Sequence, residues 1–185
     1  MLRYERTGPA DLKEMAAIFR TYLNGGEGVE EYLREGLAMP GHIGIKCMDG
    51  DKMAAVLTAR PGIDFTYPKP EIEQRILARW GGKKIYTGEM VTVLPEYRGQ
   101  GIARTMTRMW ADAMREAGVE YLMLELWDKR DGDEPAKGMI KYVGTLEESW
   151  SFPDFYSELD RYGMTCPDCG PGKCTCGATV AMIRL

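Results

Sequence analysis

The stretch that most constrains this chain is Val91-Thr92-Val93-Leu94-Pro95-Glu96-Tyr97-Arg98-Gly99-Gln100-Gly101-Ile102-Ala103, where an alternating β-branched run stops at a proline and a helical pattern starts beyond two glycines. Lys84 to Val93 reads as the strand that enters this segment. Ile102, Met106, Met109, Trp110, Ala113 and Ala117 then recur at helical spacing, and Gly118 stops them. Tyr121 to Trp127 follows as a buried strand.

A glycine loop between a strand and a helix has a chemical use. The backbone N–H groups around Gly99, Gln100, Gly101, Ile102 and Ala103 point together ahead of a helix dipole and can surround a pyrophosphate. Glycine at 99 and 101 and alanine at 103 keep side chains out of the way, while Arg98 and Arg104 can add charge-assisted contacts. A dinucleotide-binding G-x-G-x-x-G fails because Arg104 stands at the third glycine, and a P-loop fails for want of G-K-[ST]. An ordinary β-to-α turn also uses two glycines, so the flanking strand and helix carry the phosphate reading.

The rest of the chain supplies a frame. Leu2 to Thr7 alternates like a strand, and Leu12, Met15, Ala16, Ile18, Phe19 and Tyr22 predict a helix, with a second over Val29 to Ala38. His42 to Met48 and Met53 to Ala59 form a hairpin through Asp49-Gly50-Asp51-Lys52, in which His42 and Cys47 serve packing. A helix over Glu71 to Trp80, with Ile72, Ile76, Leu77 and Trp80 on one side, is expected to cover a substrate entrance. Asp131 to Pro135 is loop and the pattern from Asp128 to Ser151 fixes no boundaries; Phe155 to Tyr162 reads as helix and Ala178 to Leu185 as a closing strand.

The 185 residues, 44% hydrophobic, suit a single domain over 1–185 with a Cys-rich loop over 164–178 inside it. A net charge of -4 argues against nucleic acid as a partner. No run approaches the roughly 18 apolar residues of a membrane span, and the first residues lack a leader pattern, so a cytoplasmic protein without a membrane partner is expected.

Cys166, Cys169, Cys174 and Cys176 crowd into C-x₂-C-x₄-C-x-C, which suits a tetrahedral structural zinc tying off a loop rich in glycine and proline. Reduced surface thiols, a redox pair or an iron–sulfur cluster are the alternatives.

The glycine-loop segment resembles the signature of the GNAT superfamily of N-acetyltransferases, R/Q-x-x-G-x-G/A, met by Arg98-Gly99-Gln100-Gly101-Ile102-Ala103 with Val93 to Tyr97 also matching. The element order agrees as far as Trp127. The resemblance implies an α/β (α+β) fold: a central mixed, mostly antiparallel twisted sheet splayed between its fourth and fifth strands and flanked by helices. It implies acetyl-CoA as cosubstrate, with pantetheine along Val91, Thr92 and Val93, a backbone N–H there on the thioester carbonyl, and pyrophosphate on Arg98 to Arg104.

Such a reaction moves an acetyl group to the primary amine of a small molecule or peptide, and the amine must lose a proton. Glu89 is the candidate base, because alternation sets it on one face with Thr87, Val91 and Val93; a solvated strand glutamate is the plainer alternative. The family's tyrosine acid sits in a Y-x-x-x-G-F-like stretch, which resembles Phe155 to Met164 here. Leu159 occupies the position four before Gly163, so Tyr156, one turn earlier, substitutes, with Tyr142 and Tyr162 as rivals and a core role as the plain alternative. That departure supports a competing function: a non-catalytic acyl-CoA-binding regulatory module with a zinc-stabilised interaction loop. The expected partners are an acyl-CoA and an amine acceptor, with a homodimer left open.

Overall fold

The structure, a computed structural model, describes residues 1–129 and 136–185. The loop expected over Asp131 to Pro135 lies outside the described residues. In chain order the elements are β1 (Leu2–Arg6), α1 (Leu12–Tyr22), α2 (Val29–Ala38), β2 (Ile43–Asp49), β3 (Lys52–Pro61), α3 (Pro70–Trp80), β4 (Ile85–Val93), α4 (Ile102–Glu116), β5 (Tyr121–Asp128), α5 (Ile140–Val143), β6 (Thr145–Phe152) and β7 (Gly177–Arg184). The seven described strands form one sheet in the order β1-β2-β3-β4-β5-β7-β6. Its pairs are antiparallel except β4 with β5.

That parallel pair is short. It runs from Ile85↔Tyr121 to Gly88↔Leu124, whereas β4 stays paired with β3 to Val93↔Ala55 and β5 with β7 to Asp128↔Gly177. Past Gly88 the two strands therefore part, which is the expected splay. Gly88 fits the last point of contact: a Cβ there would lie 2.5 Å from Leu124 Cδ2 and 3.1 Å from the Trp110 ring. Opposite Thr58 and Ala59, β4 carries one extra residue, Glu89, between Gly88 and Met90, a bulge that re-aims side chains.

One sheet face is covered by α4, whose Ile102, Met106, Trp110 and Met114 pack against Ile45, Leu57, Leu122, Leu124 and Ile183. On the opposite face, α1 and α2 bury Met15, Ile18 and Leu33 against Met53, Val56 and Met90. Beside them Ile76 and Trp80 of α3 join Tyr121, Met123, Val180, Met182 and the segment from Phe155 onward. No described helix is long and apolar enough to cross a membrane.

Several expectations change. Met109 is 37% exposed and Leu77 46%, and Ala117 is exposed, since each lies at the edge of its helix's apolar stripe. The helix α3 packs Ile76 and Trp80 on the core. Between 128 and 151, where the pattern set no boundaries, β6 is an edge strand with mostly intermediate or exposed residues, so its hydrophobic alternation is weak. Phe155 to Tyr162 is not an α-helix: it is turns ending in a 3₁₀ turn over Leu159–Tyr162. Its backbone is committed elsewhere, because Tyr156 N–H donates to the Cys176 carbonyl at 3.4 Å, Lys69 Nζ donates to the Phe155 carbonyl at 2.7 Å, and Tyr67 Oη donates there too.

Candidate active site

Where β4 and β5 part, on the face opposite α4, there is a cavity of about 220 Å³. Its walls are the end of α1 and the α1–α2 loop (Phe19, Leu23, Asn24, Gly26), Tyr32 of α2, Asp64 to Thr66, Thr87 to Glu89 of β4, Glu125 and Trp127 of β5, and parts of Tyr156 to Cys166. Glu89 and Tyr156, far apart in the sequence, line the same cavity. Tyr162 lines it as well, half-exposed and stacked on Tyr67 at 5.0 Å between ring centroids. Tyr142 lies elsewhere, on α5 against Arg108.

The bulge decides where Glu89 looks. Val91 and Val93 pack on the α4 side, while Glu89 turns with Thr87 into the cavity, so the expected common face of Glu89 with Val91 and Val93 does not hold. Simple alternation fails because the extra residue shifts the phase by one. The Glu89 side chain is 2% exposed and accepts from Arg60 Nε at 2.5 Å. Burial raises its carboxyl pKa, and Arg60 opposes that rise. His42 Nε2 lies 3.8 Å from Glu89 Oε2; burial, then Arg60, lowers the imidazole to about 4, which leaves it neutral at pH 7. Arg60 also stacks on Tyr32 at 4.2 Å and meets Asp64 Oδ2 at 3.4 Å. Gly36 of α2 makes room, since a Cβ there would stand 3.2 Å from Glu89 Oε1.

A second carboxyl group, that of half-buried Glu125, lines the same cavity. Glu125 accepts from Thr66 Oγ1 at 2.5 Å, Thr66 N–H at 3.0 Å and Tyr156 Oη at 2.6 Å. Burial raises its pKa against these donors. Burial first, then Glu125, raises the Tyr156 hydroxyl well above the ordinary phenol value. Glu125, Arg60, Asp64, Thr66 and Tyr32 escaped the sequence reading. The signal available was a lone glutamate within the apolar run Tyr121 to Trp127 and an arginine directly after Met53 to Ala59.

The glycine loop lies at the far end of β4, and none of residues 91–104 lines the cavity. Gly99 and Gly101 have φ of 76° and 78°, left-handed values that favour glycine. Gly101 precedes α4, whose first closure is Thr105 N–H to the Gly101 carbonyl at 3.1 Å. The N–H groups of Ile102, Ala103 and Arg104 therefore have no partner within the helix. Arg98 Nε donates to the Val93 carbonyl at 3.2 Å and Gln100 Nε2 to the Glu96 carbonyl at 3.3 Å, which fixes the loop to the end of β4. Gly99, Gln100, Gly101, Ala103 and Arg104 are exposed. The loop thus offers an accessible set of donors at a helix N-terminus.

The four clustered cysteines converge although no disulfide joins them. Their Sγ atoms all lie within 4.8 Å of one another, with separations of 3.9 Å for Cys166–Cys176, 3.6 Å for Cys169–Cys176 and 3.7 Å for Cys174–Cys169. A tetrahedral ion with metal–sulfur bonds of about 2.3 Å has sulfur–sulfur edges of about 3.8 Å, so the donor set fits such an ion. The N–H groups of Cys169 and Cys176 each donate to a cluster sulfur at 3.4 Å. Cys166 also lines the cavity.

With this geometry in view, residues 13–144 match the Acetyltransferase (GNAT) family. Three solved structures with the same fold illustrate the likeness. NAA60 of Arabidopsis thaliana in complex with acetyl-CoA aligns over 100% of this chain and 99% of its own, at 13% identity and a TM-score of 0.69. A Drosophila melanogaster polyamine N-acetyltransferase aligns over 100% of both chains at 10% identity and a TM-score of 0.68. The ribosomal-protein-S18-alanine N-acetyltransferase of Escherichia coli covers 100% of this chain and 94% of its own, at 16% identity and a TM-score of 0.61.

Proposed function

The chain belongs to the acetyltransferase (GNAT) family, and from that premise we propose that it transfers an acetyl group from acetyl-CoA to the primary amine of a small cationic acceptor by direct attack. One observation carries the acceptor half: a cavity of about 220 Å³ lined by the carboxylates of Asp64, Glu89 and Glu125 and by the rings of Phe19, Tyr32, Phe65, Trp127, Tyr156 and Tyr162. Carboxylates and aromatic faces both attract an ammonium group, and a volume of that size suits a small amine.

In this reading pyrophosphate rests on the N–H groups and arginines of Arg98 to Arg104. Pantetheine runs along Val91, Thr92 and Val93 in the gap between β4 and β5, which leads the thioester toward the cavity. An N–H of β4 holds the carbonyl oxygen as the amine adds. Glu89, directly or through water, takes the amine proton, and its raised pKa suits that task. As the tetrahedral centre collapses the carbon–sulfur bond breaks, and Tyr156 gives its proton to the departing thiolate. Burial and Glu125 keep the Tyr156 hydroxyl protonated before that step.

Thiol release from acetyl-CoA, measured over a panel of mono- and diamines and short peptides, tests the proposal. Turnover concentrated in the diamines is expected. Acetyl-CoA binding without turnover of any amine would favour a non-catalytic binding module instead.

We further assign a structural zinc to Cys166, Cys169, Cys174 and Cys176, supported by the sulfur separations. Zinc would supply a crosslink for the loop and no chemistry. One equivalent of zinc by elemental analysis is expected, and its absence would exclude the assignment.

A further inference from the structure

We infer that the four-cysteine site positions the amine-binding cavity, an inference that rests on the zinc and acceptor readings above. Two separate connections carry it. On one side, Cys166 is itself part of the cavity wall, and the residues just before it are pinned to the α1–α2 loop. The Gly25 N–H donates to the Thr165 carbonyl at 3.0 Å, and Asn24 Oδ1 accepts from Gly26 N–H at 2.9 Å and from Thr165 N–H at 3.4 Å. The approach is close enough that a Cβ on Gly26 would lie 2.9 Å from the Gly163 carbonyl oxygen. Asn24 and Gly26 both face the cavity.

On the other side, the carbonyl of Cys176 accepts the Tyr156 N–H at 3.4 Å, and the Tyr156 hydroxyl donates to Glu125 in the cavity wall. The backbone just before the first cysteine and at the last thus holds two walls of one pocket. Between those cysteines regular structure is limited to a single bridge, Cys166↔Gly170. A loop with so little secondary structure has little to offset its conformational entropy without a crosslink. Metal loss therefore frees the Gly163 to Cys166 wall and the α1–α2 loop resting on it. The glycine loop at Arg98 to Arg104 borders neither connection, so acetyl-CoA binding is spared.

The test uses the full chain with zinc counted by elemental analysis, before and after removal by a chelator. Amide hydrogen exchange at Gly25 and Gly26 is expected to accelerate at least about tenfold on removal, while α4 keeps its protection and acetyl-CoA affinity by calorimetry stays within about twofold. The KM for 1,4-diaminobutane rises about tenfold, and readdition of zinc reverses all of this. Unchanged exchange at Gly25 and Gly26 after confirmed removal overturns the inference, as does loss of acetyl-CoA affinity in step with it. Protein purified without stoichiometric metal removes its premise. If no amine, 1,4-diaminobutane included, is acetylated, the acceptor reading fails while exchange still decides the coupling. Asn24→Ala covers the case in which chelation unfolds the chain: it is expected to retain zinc yet exchange faster at Gly25, whose N–H bonds Thr165 rather than Asn24, and wild-type exchange there would count against the coupling.

Discussion

The Tyr156 hydroxyl donates to a Glu125 carboxyl oxygen at 2.6 Å, so the candidate proton donor is held by a side chain that Thr66 also grips through its N–H and hydroxyl. Tyr156→Phe removes one of three donors to that carboxyl group and the proton from the cavity. Turnover is expected to fall about 10²-fold or more, with acetyl-CoA affinity unchanged and stability lower by about 1–3 kcal/mol. Steady-state kinetics with parallel calorimetry decide; unaltered kcat would exclude Tyr156 as the acid.

Glu89 gives a prediction in pH. A base works when deprotonated, so the rate rises with pH through its pKa, and burial places that rise above the ordinary carboxylate value of 4.5. Glu89→Gln should lower kcat/KM by about 10²–10⁴-fold and abolish this acid limb. A variant that keeps the wild-type limb would assign it to another group.

His42 gives a prediction for stability rather than rate. Its folded pKa is depressed to about 4 from 6.5 by burial and then by Arg60, so the unfolded chain binds the proton more readily than the folded one. The associated stability is present above pH 6.5 and is lost as pH falls toward about 4. Thermal unfolding of His42→Gln should show a shallower loss across that window, and an identical pH dependence would contradict the assignment.

Gly101 has φ of 78° and no side chain to obstruct the loop. Gly101→Ala should cost about 1–2 kcal/mol of stability through left-handed strain and weaken acetyl-CoA about tenfold or more by disturbing the N–H groups that follow. Calorimetry checks this, with the expectation that KM for the amine moves far less than the acetyl-CoA dissociation constant.

The glycine loop was legible because its signal is local. Glycines at 99 and 101, a proline stop and a helical stripe from Ile102 lie within a short window, and left-handed turns and helix starts are properties of neighbouring residues. The four cysteines were legible for the same reason, since their spacing alone brings them within reach of one ion. The segment at Phe155 was misread as helix because its partners, Tyr67, Lys69 and Cys176, are remote in the chain, and helical spacing says nothing about a carbonyl already claimed by a lysine.

The cavity was decided by tertiary structure. Glu89 was named from the sequence, but a one-residue bulge against Thr58 and Ala59 chose the face it occupies and gave it Arg60 and His42 as companions. Glu125, Asp64 and Tyr32 gained meaning only when β5, a loop and α2 met around one cavity. By itself the sequence determined the loop, the strand and helix it requires, and hence the family, because short-range sterics and periodicity fix them. What the cavity accepts depends on charges brought together by strand pairing across long separations, which no local pattern records.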